Sequence, residues 1–337
     1  MKNHIPVILG VVLIVFSGCQ KKTAENYFES MNTFMKVRCY GENSEEANSA
    51  AQKYIGELEA LISVTKPASD IYRVNHAASY PVEVSPVTAE LLEFTLGMSE
   101  KTGGVLNPCL YPVTSAWGFT KKQYRIPSDD EIRELLRLTD FRKARIDGNN
   151  VTLEPGMMFD LGAVGKGFAG DEAAKMMRSY GITSALLDLG GNIQLIGSRP
   201  DGSDWTIGIR NPFGEGQIGT LRVSDCAVIT SGGYERYFIG EDGKKYIHIF
   251  DGTTGRPVEN NIVSATAVAP GGTYCDALST TLFIMGVDRS IEFWRKNRDF
   301  DFMLITDDRK IYITKPLARK FSLNREISGT EIMTIKK

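Results

Sequence analysis

DLGAVGKGFAGD, residues 160–171, is the stretch on which the fold turns. Within it Gly165-Lys166-Gly167-Phe168-Ala169-Gly170 fits G-x-G-x-x-G, the phosphate-binding turn of a βαβ dinucleotide unit. Met158-Phe159-Asp160-Leu161 could supply the preceding strand, a helix follows, and Asp188 lies near the spacing of a ribose-binding acid. Against this, the fingerprint belongs at the start of a parallel sheet, and a lysine inside it has no place in that logic. A P-loop fails as well. Gly167 takes the Ser/Thr position that would hold magnesium, and no glycine stands at the required upstream spacing.

The surrounding sequence reads as hairpins. ARIDGNNVTL (144–153), YFIGEDGKKYIHIF (237–250) and FMLITDDRKIYIT (302–314) each place a turn signal between alternating apolar runs. Helical periodicity covers 43–64, with Ala47, Ala51, Tyr54, Ile55, Leu58, Leu61 and Ile62 on one face and Asn43 with Glu46 as a capping pair. Ser85-Pro86 opens a second helix that Gly103-Gly104 closes, and Ser128 with Glu131 opens a third. Further helices are expected over 167–180, 274–285 and 288–296. Hairpins with helices interspersed, without regular βαβ alternation, predict an α+β fold with a largely antiparallel or mixed sheet.

The first 18 residues read as a secretory signal: Lys2 and His4, an apolar run from Ile5 to Phe16, then Ser17-Gly18-Cys19. Twelve apolar residues are too few to cross a bilayer, which takes about 20. Ser-Gly-Cys resembles a bacterial lipobox, so Cys19 is expected to carry a lipid anchor, with 19–30 a tether and 31–337 a single domain. A composition of 42% apolar and 24% charged residues suits a globular core, and a net charge of −2 gives no reason to expect nucleic acid. Cys39, Cys109, Cys226 and Cys275 show neither C-x-x-C nor zinc spacing and are expected as free thiols.

Other glycine turns, DLGGN (188–192), TSGGYERY (230–237) and DGTTGRP (251–257), could together line a pocket for a phosphate-bearing ligand. In YCDALSTTLF, Asp276 and Thr280 lie four apart on one helical face. A carboxylate and a hydroxyl are hard oxygen ligands suited to magnesium. The same pair also reads as a first-turn acid favoured by the helix dipole and a threonine bonded to its own backbone.

Taken in order, MNT from Met31, SVTKPASDIYRVN from Ser63, GGVLNP from Gly103, WGF from Trp117, DLGAVGKGFAGD, LLDLGGNIQLIG from Leu186, TSGGYERYF, HIFDGTTGRPV from His248 and DALSTTLFIMG from Asp276 resemble the ApbE-type FAD:protein FMN transferases. The resemblance runs from about Met31 to Gly286. It implies an enzyme that cleaves the pyrophosphate of FAD and moves FMN onto a threonine or serine of an acceptor protein, releasing AMP. It implies Mg²⁺ held by Asp276, Thr280 and the carbonyl of Ala163, and FAD contacts at Met31, Thr65, Val105, Leu106, Asn107, Asp160 and Lys166. His248, inside a family motif, is the expected general base and a further FAD-binding position, and Lys166 adds positive charge. Alternation would also allow His248 as a strand residue packed beside Tyr246 and Phe250. Trp117 and Phe119 read as core. Asn32 stands where the family usually has glycine, and Val105-Leu106-Asn107 where it usually has Ala-Phe-Asp. Expected partners are acceptor flavoproteins, such as subunits of membrane redox pumps, met on the periplasm-facing side of a membrane. A Mg²⁺-dependent FAD pyrophosphatase and a non-catalytic FAD-carrying lipoprotein are the alternatives.

Overall fold

Met31 and Asn32 form a two-residue turn between the strands Thr23–Ser30 and Thr33–Tyr40, both at positive φ (49° and 58°). Such a turn matches the twist of a hairpin, and asparagine is the residue besides glycine that best tolerates it. Asn32 in place of glycine is therefore compatible with the backbone. The computed structural model describes residues 22–336; the signal segment and Cys19 lie outside them.

Of the tether expected over 19–30, residues Thr23–Ser30 are a strand instead. Thr23–Ser30 is an edge strand paired along its whole length with Thr33–Tyr40. Its polar composition hid it, because Glu25 takes cross-strand ion pairs with Lys36 and Arg38 on the neighbouring strand.

Nine strands form the main sheet, in the order Thr23–Ser30, Thr33–Tyr40, Ser184–Asp188, Ile193–Ile196, Ala227–Gly232, Ile262–Ala269, Asp301–Thr306, Lys310–Thr314, Glu331–Ile335. Every pairing is antiparallel except the last. The α+β expectation holds. Alternation puts Met35, Val37, Ala265, Ala267, Phe302 and Leu304 beneath the helices Ser44–Ile62, Gly165–Ser179 and Gly272–Lys296. Met303 and Ile305 face the other way, onto a three-stranded sheet of Trp205–Arg210, Gln217–Val223 and Phe321–Leu323.

Met158–Leu161 is not a strand. The Asn75 side chain clamps the Phe159 backbone instead, accepting from its N–H at 2.7 Å and donating to its carbonyl at 2.9 Å. With no strand entering the glycine turn, no βαβ unit exists there.

Ser85 and Ser128 cap their helices through Thr88 N–H and Glu131 N–H. Asn43 does not: its amide instead donates to the Tyr180 carbonyl at 3.0 Å, tying the first helix to the end of the glycine helix. Gly272–Lys296 runs through a break at Gly286 (φ 74°), where Asn260 donates to the Phe283 carbonyl at 2.7 Å. The break falls between the two helices that periodicity expected. Cys39, Cys109, Cys226 and Cys275 are free thiols. Among the described residues no helix is long and apolar enough to cross a membrane.

Candidate active site

The site forms where two helix N-termini cross. Gly167 and Gly272 meet there. A Cβ on Gly167 would overlap the Gly272 carbonyl and lie 2.7 Å from Asp276 Cβ, and one on Gly272 would lie 2.6 Å from the Gly167 carbonyl. Only bare backbone permits this approach. Each helix supplies the other's cap. Asp171 accepts from Gly272 N–H at 2.6 Å, Thr273 N–H at 2.8 Å and Thr273 Oγ1 at 2.7 Å. Asp276 Oδ2 accepts from Gly167 N–H at 2.8 Å.

That last bond frees an oxygen. The helical partner of Gly167 N–H would be the carbonyl of Ala163, four residues back. Because Asp276 takes the proton instead, the Ala163 carbonyl keeps no backbone donor among the described residues. Asp276 is itself buried. Burial pushes its carboxyl above the usual range, while the Lys166 charge and the Gly167 amide pull the other way. One turn on, Thr280 Oγ1 lies 3.2 Å from Ser231 Oγ, which also bonds Ser279 Oγ at 2.8 Å. A buried carboxylate, a hydroxyl and an unclaimed carbonyl are hard donors that fit a small divalent cation. Gln194 Oε1, buried without a partner among the described residues, lies at the same crossing, against Gly272. The described residues hold no cluster of three His, Cys, Asp or Glu, so a cation here would rest on mixed ligands.

His248 shares the influence of the Lys166 charge with Asp276. Its chain has already left the strand Lys245–Ile247, so the alternation that would pack it with Tyr246 and Phe250 is broken. Those two residues join Trp117 in a separate apolar cluster, and Trp117 is buried there with Nε1 donating to the Gly255 carbonyl at 3.1 Å. The Arg236 carbonyl accepts both the His248 N–H and its Nδ1–H, each at 3.1 Å. Nδ1 therefore carries the proton and Nε2 the lone pair. Burial, reinforced by the charges of Arg236 and Lys166, lowers the imidazole to about 4. The ring is neutral at physiological pH.

Asp160 Oδ1 accepts from Gly162 N–H at 2.7 Å; burial raises its carboxyl, opposed by that amide and by Arg236. Lys166 bears on both Asp276 and His248, so the loop, the long helix and the histidine form one electrostatic unit.

The remaining expected residues lie on other elements and make structural contacts of their own. Met31 N–H and Ser30 Oγ both donate to Glu59 Oε2, at 3.0 and 2.6 Å, and Lys66 reaches Glu59 Oε1 at 2.8 Å. Glu59 thereby joins the Met31 turn to the loop of Thr65, which is exposed and bonds Ser63. Leu106 is buried in the main core, so its side chain is not free for a ligand. Both ends of the Asn107 amide are used structurally, on Thr139 O and Cys109 N–H. Val105 is half-buried beside them. The sequence reading passed over Asp171, Ser231, Arg236 and Glu59. Asp171 and Arg236 stood inside quoted motifs, but nothing in their spacing marked them.

Fold and site together define an α+β protein in which a glycine-lined crossing of two helices gathers a buried carboxylate, a hydroxyl and a free carbonyl, with Lys166 charging both this crossing and a neutral histidine. The chain matches the ApbE family over residues 31–304. It is 33% identical over 304 residues to the FAD:protein FMN transferase of Treponema pallidum, covering 83% of this chain and 84% of that one. The Klebsiella pneumoniae FAD:protein FMN transferase is 32% identical over 274 residues, covering 80% and 84%. Among solved structures, the ApbE protein of Thermotoga maritima superposes with a TM-score of 0.84 at 28% identity, covering 89% of this chain and 99% of its own. The flavin transferase ApbE of Vibrio cholerae gives 0.80 at 26%, covering 89% and 99%. This chain belongs to the ApbE family.

Proposed function

We propose that this protein transfers FMN from FAD to a threonine or serine hydroxyl of an acceptor protein, with Mg²⁺ at Asp276, Thr280 and the Ala163 carbonyl. The Ala163 carbonyl, released because Gly167 N–H turns to Asp276, is the observation that carries the reading. Relatives sharing a third of the sequence are named FAD:protein FMN transferases. When bound, the cation would neutralise phosphate charge and polarise the bond under attack. Lys166 adds positive charge on the side that Asp276 and His248 share. His248 Nε2 takes the proton of the acceptor hydroxyl. The acceptor oxygen bonds to the FMN phosphorus, and the bond from that phosphorus to the bridging oxygen breaks, leaving that oxygen on AMP. Positioning and charge carry most of such a reaction.

The apolar run and Ser17-Gly18-Cys19 support a periplasm-facing lipoprotein anchored at Cys19. Only residues 20–22 separate that cysteine from the first strand, a reach of about 14 Å at full extension. The folded body would therefore ride close to the bilayer, where membrane redox subunits could meet it.

Purified protein incubated with FAD, Mg²⁺ and an acceptor domain tests this. A covalent FMN mass increment with AMP release is expected. AMP and free FMN without the increment would point to a pyrophosphatase, and FAD retained without turnover to a carrier.

A further inference from the structure

Transfer to a protein needs a surface for that protein, and the hairpin that ends at Arg236 and His248 leaves one strand edge unpaired among the described residues. Strands Tyr237–Ile239 and Lys245–Ile247 pair only with each other, and their open ends are Arg236 and His248, bonded to one another. His248 N–H donates to Arg236 O at 3.1 Å and Gly240 N–H to Lys244 O at 2.9 Å. Antiparallel pairing alternates, so Tyr237 and Ile239 turn their backbone N–H and C=O groups outward. No hydrogen bond from another element reaches those groups among the described residues.

The side chains follow the same alternation. Phe238 faces inward, with its ring 5.0 Å from Tyr124 and 5.2 Å from Tyr246. Tyr237 and Ile239 face solvent, 46% and 58% exposed, with Lys245 Nζ 4.2 Å from the centroid of the Tyr237 ring. Tyr124 and Ile126 pack on the other face, against Phe238 and Gly240, so the outward face carries Tyr237 and Ile239 alone. An open strand edge with apolar side chains is ordinarily a liability that proteins blunt. Here it runs into Arg236, whose carbonyl holds the His248 ring.

We infer that the edge Tyr237–Ile239 docks an extended segment of the acceptor protein by strand addition, with apolar acceptor side chains against Tyr237 and Ile239 and the hydroxyl-bearing residue delivered to His248 Nε2. The inference rests on the proposed transfer reaction. Main-chain pairing gives affinity without demanding one sequence.

The test is steady-state flavinylation of an acceptor domain that the Vibrio cholerae transferase modifies, that enzyme serving as positive control. Tyr237→Ala and Ile239→Asp are expected to raise KM for the acceptor about tenfold, the scale of one lost anchor contact. The kcat at saturating acceptor, FAD binding and Tm are expected to stay near wild type. Ile332→Asp, exposed on a distant edge, is the control. An acceptor KM unchanged in both hairpin variants overturns the inference. A photoreactive p-benzoylphenylalanine in place of Ile239 gives a second readout. Crosslinks close to the modified hydroxyl support docking, whereas crosslinks only to a second copy of this chain, or none, overturn it. A wild-type protein that transfers nothing while the control enzyme works overturns the transfer reading instead, and the crosslink still decides the docking.

Discussion

Asp171 and Asp276 cap each other's helices: Asp171, from Gly165–Ser179, holds the first amides of Gly272–Lys296, and Asp276, from the latter, holds Gly167 N–H of the former. The crossing is locked from both sides, and a carboxylate is fixed at the point where a carbonyl comes free. Asp171 takes three hydrogen bonds and has a structural part; Asp276 has that part too and, on the proposed reading, would also hold the cation.

Asp171→Ala therefore orphans two backbone amides and a hydroxyl and is expected to lower unfolding stability by about 2 kcal/mol or more. Urea denaturation measures this. Because the long helix loses its N-terminal anchor, FMN transfer should also fall, though less than on loss of Asp276. A midpoint within error of wild type would show the reciprocal cap to be idle.

Asp276→Ala removes the charged donor of the candidate cation site. Transfer is expected to drop by about 100-fold or more, the scale of losing a main electrostatic contribution to the transition state. A saturable dependence on Mg²⁺ should vanish with it. In the wild type, EDTA should abolish transfer and added Mg²⁺ restore it; undiminished turnover in EDTA would dismiss the metal reading.

Gly167→Ala drives a methyl into the Gly272 carbonyl, which is backbone and cannot swing aside. A large loss of Tm with loss of transfer is expected. Gly97→Ala gives the contrast, since a Cβ there meets nothing within 4 Å inside the helix Pro86–Lys101. It should stabilise by about 0.5–1 kcal/mol. Equal effects from the two substitutions would contradict the packing described.

If His248 is the base of the proposed transfer, it sets the acid limb of activity. Burial, with the charges of Arg236 and Lys166, holds its imidazole to about 4, so it remains a base across neutral pH. Transfer should hold steady as pH falls through 6.5, the ordinary histidine value, and decline near 4. The stability sign follows: the unfolded chain takes a proton near 6.5 while the folded one resists until about 4. The contribution is full above 6.5 and is lost as pH falls through that window. His248→Ala should cost about 10²–10⁴-fold in kcat. An acid limb near 6.5 in the pH–rate profile would mean that the ring is solvated like a free histidine.

Periodicity and turn chemistry made the α+β class, the serine-capped helices, the three hairpins and the break at Gly286 legible, because each follows from neighbours a few residues apart. The first strand was not legible: Thr23–Ser30 is polar, and its order comes from Lys36 and Arg38 on the strand it pairs with. Asp276 and Thr280 stood out because four residues make one helical turn. The Ala163 carbonyl came only through family resemblance, Asp171 and Arg236 were passed over inside quoted motifs, and Leu106 and Asn107 proved committed to packing and to the loop backbone. What the sequence determined by itself was local: where the backbone could turn, coil or pleat, and which hard ligands share a helix face. Which amide leaves its helical carbonyl for a carboxylate 109 positions away, and which carbonyl holds the histidine's tautomer, were decided only when tertiary packing brought two glycines into contact and a hairpin to its end, since hydrogen bonds depend on distance in space rather than along the chain.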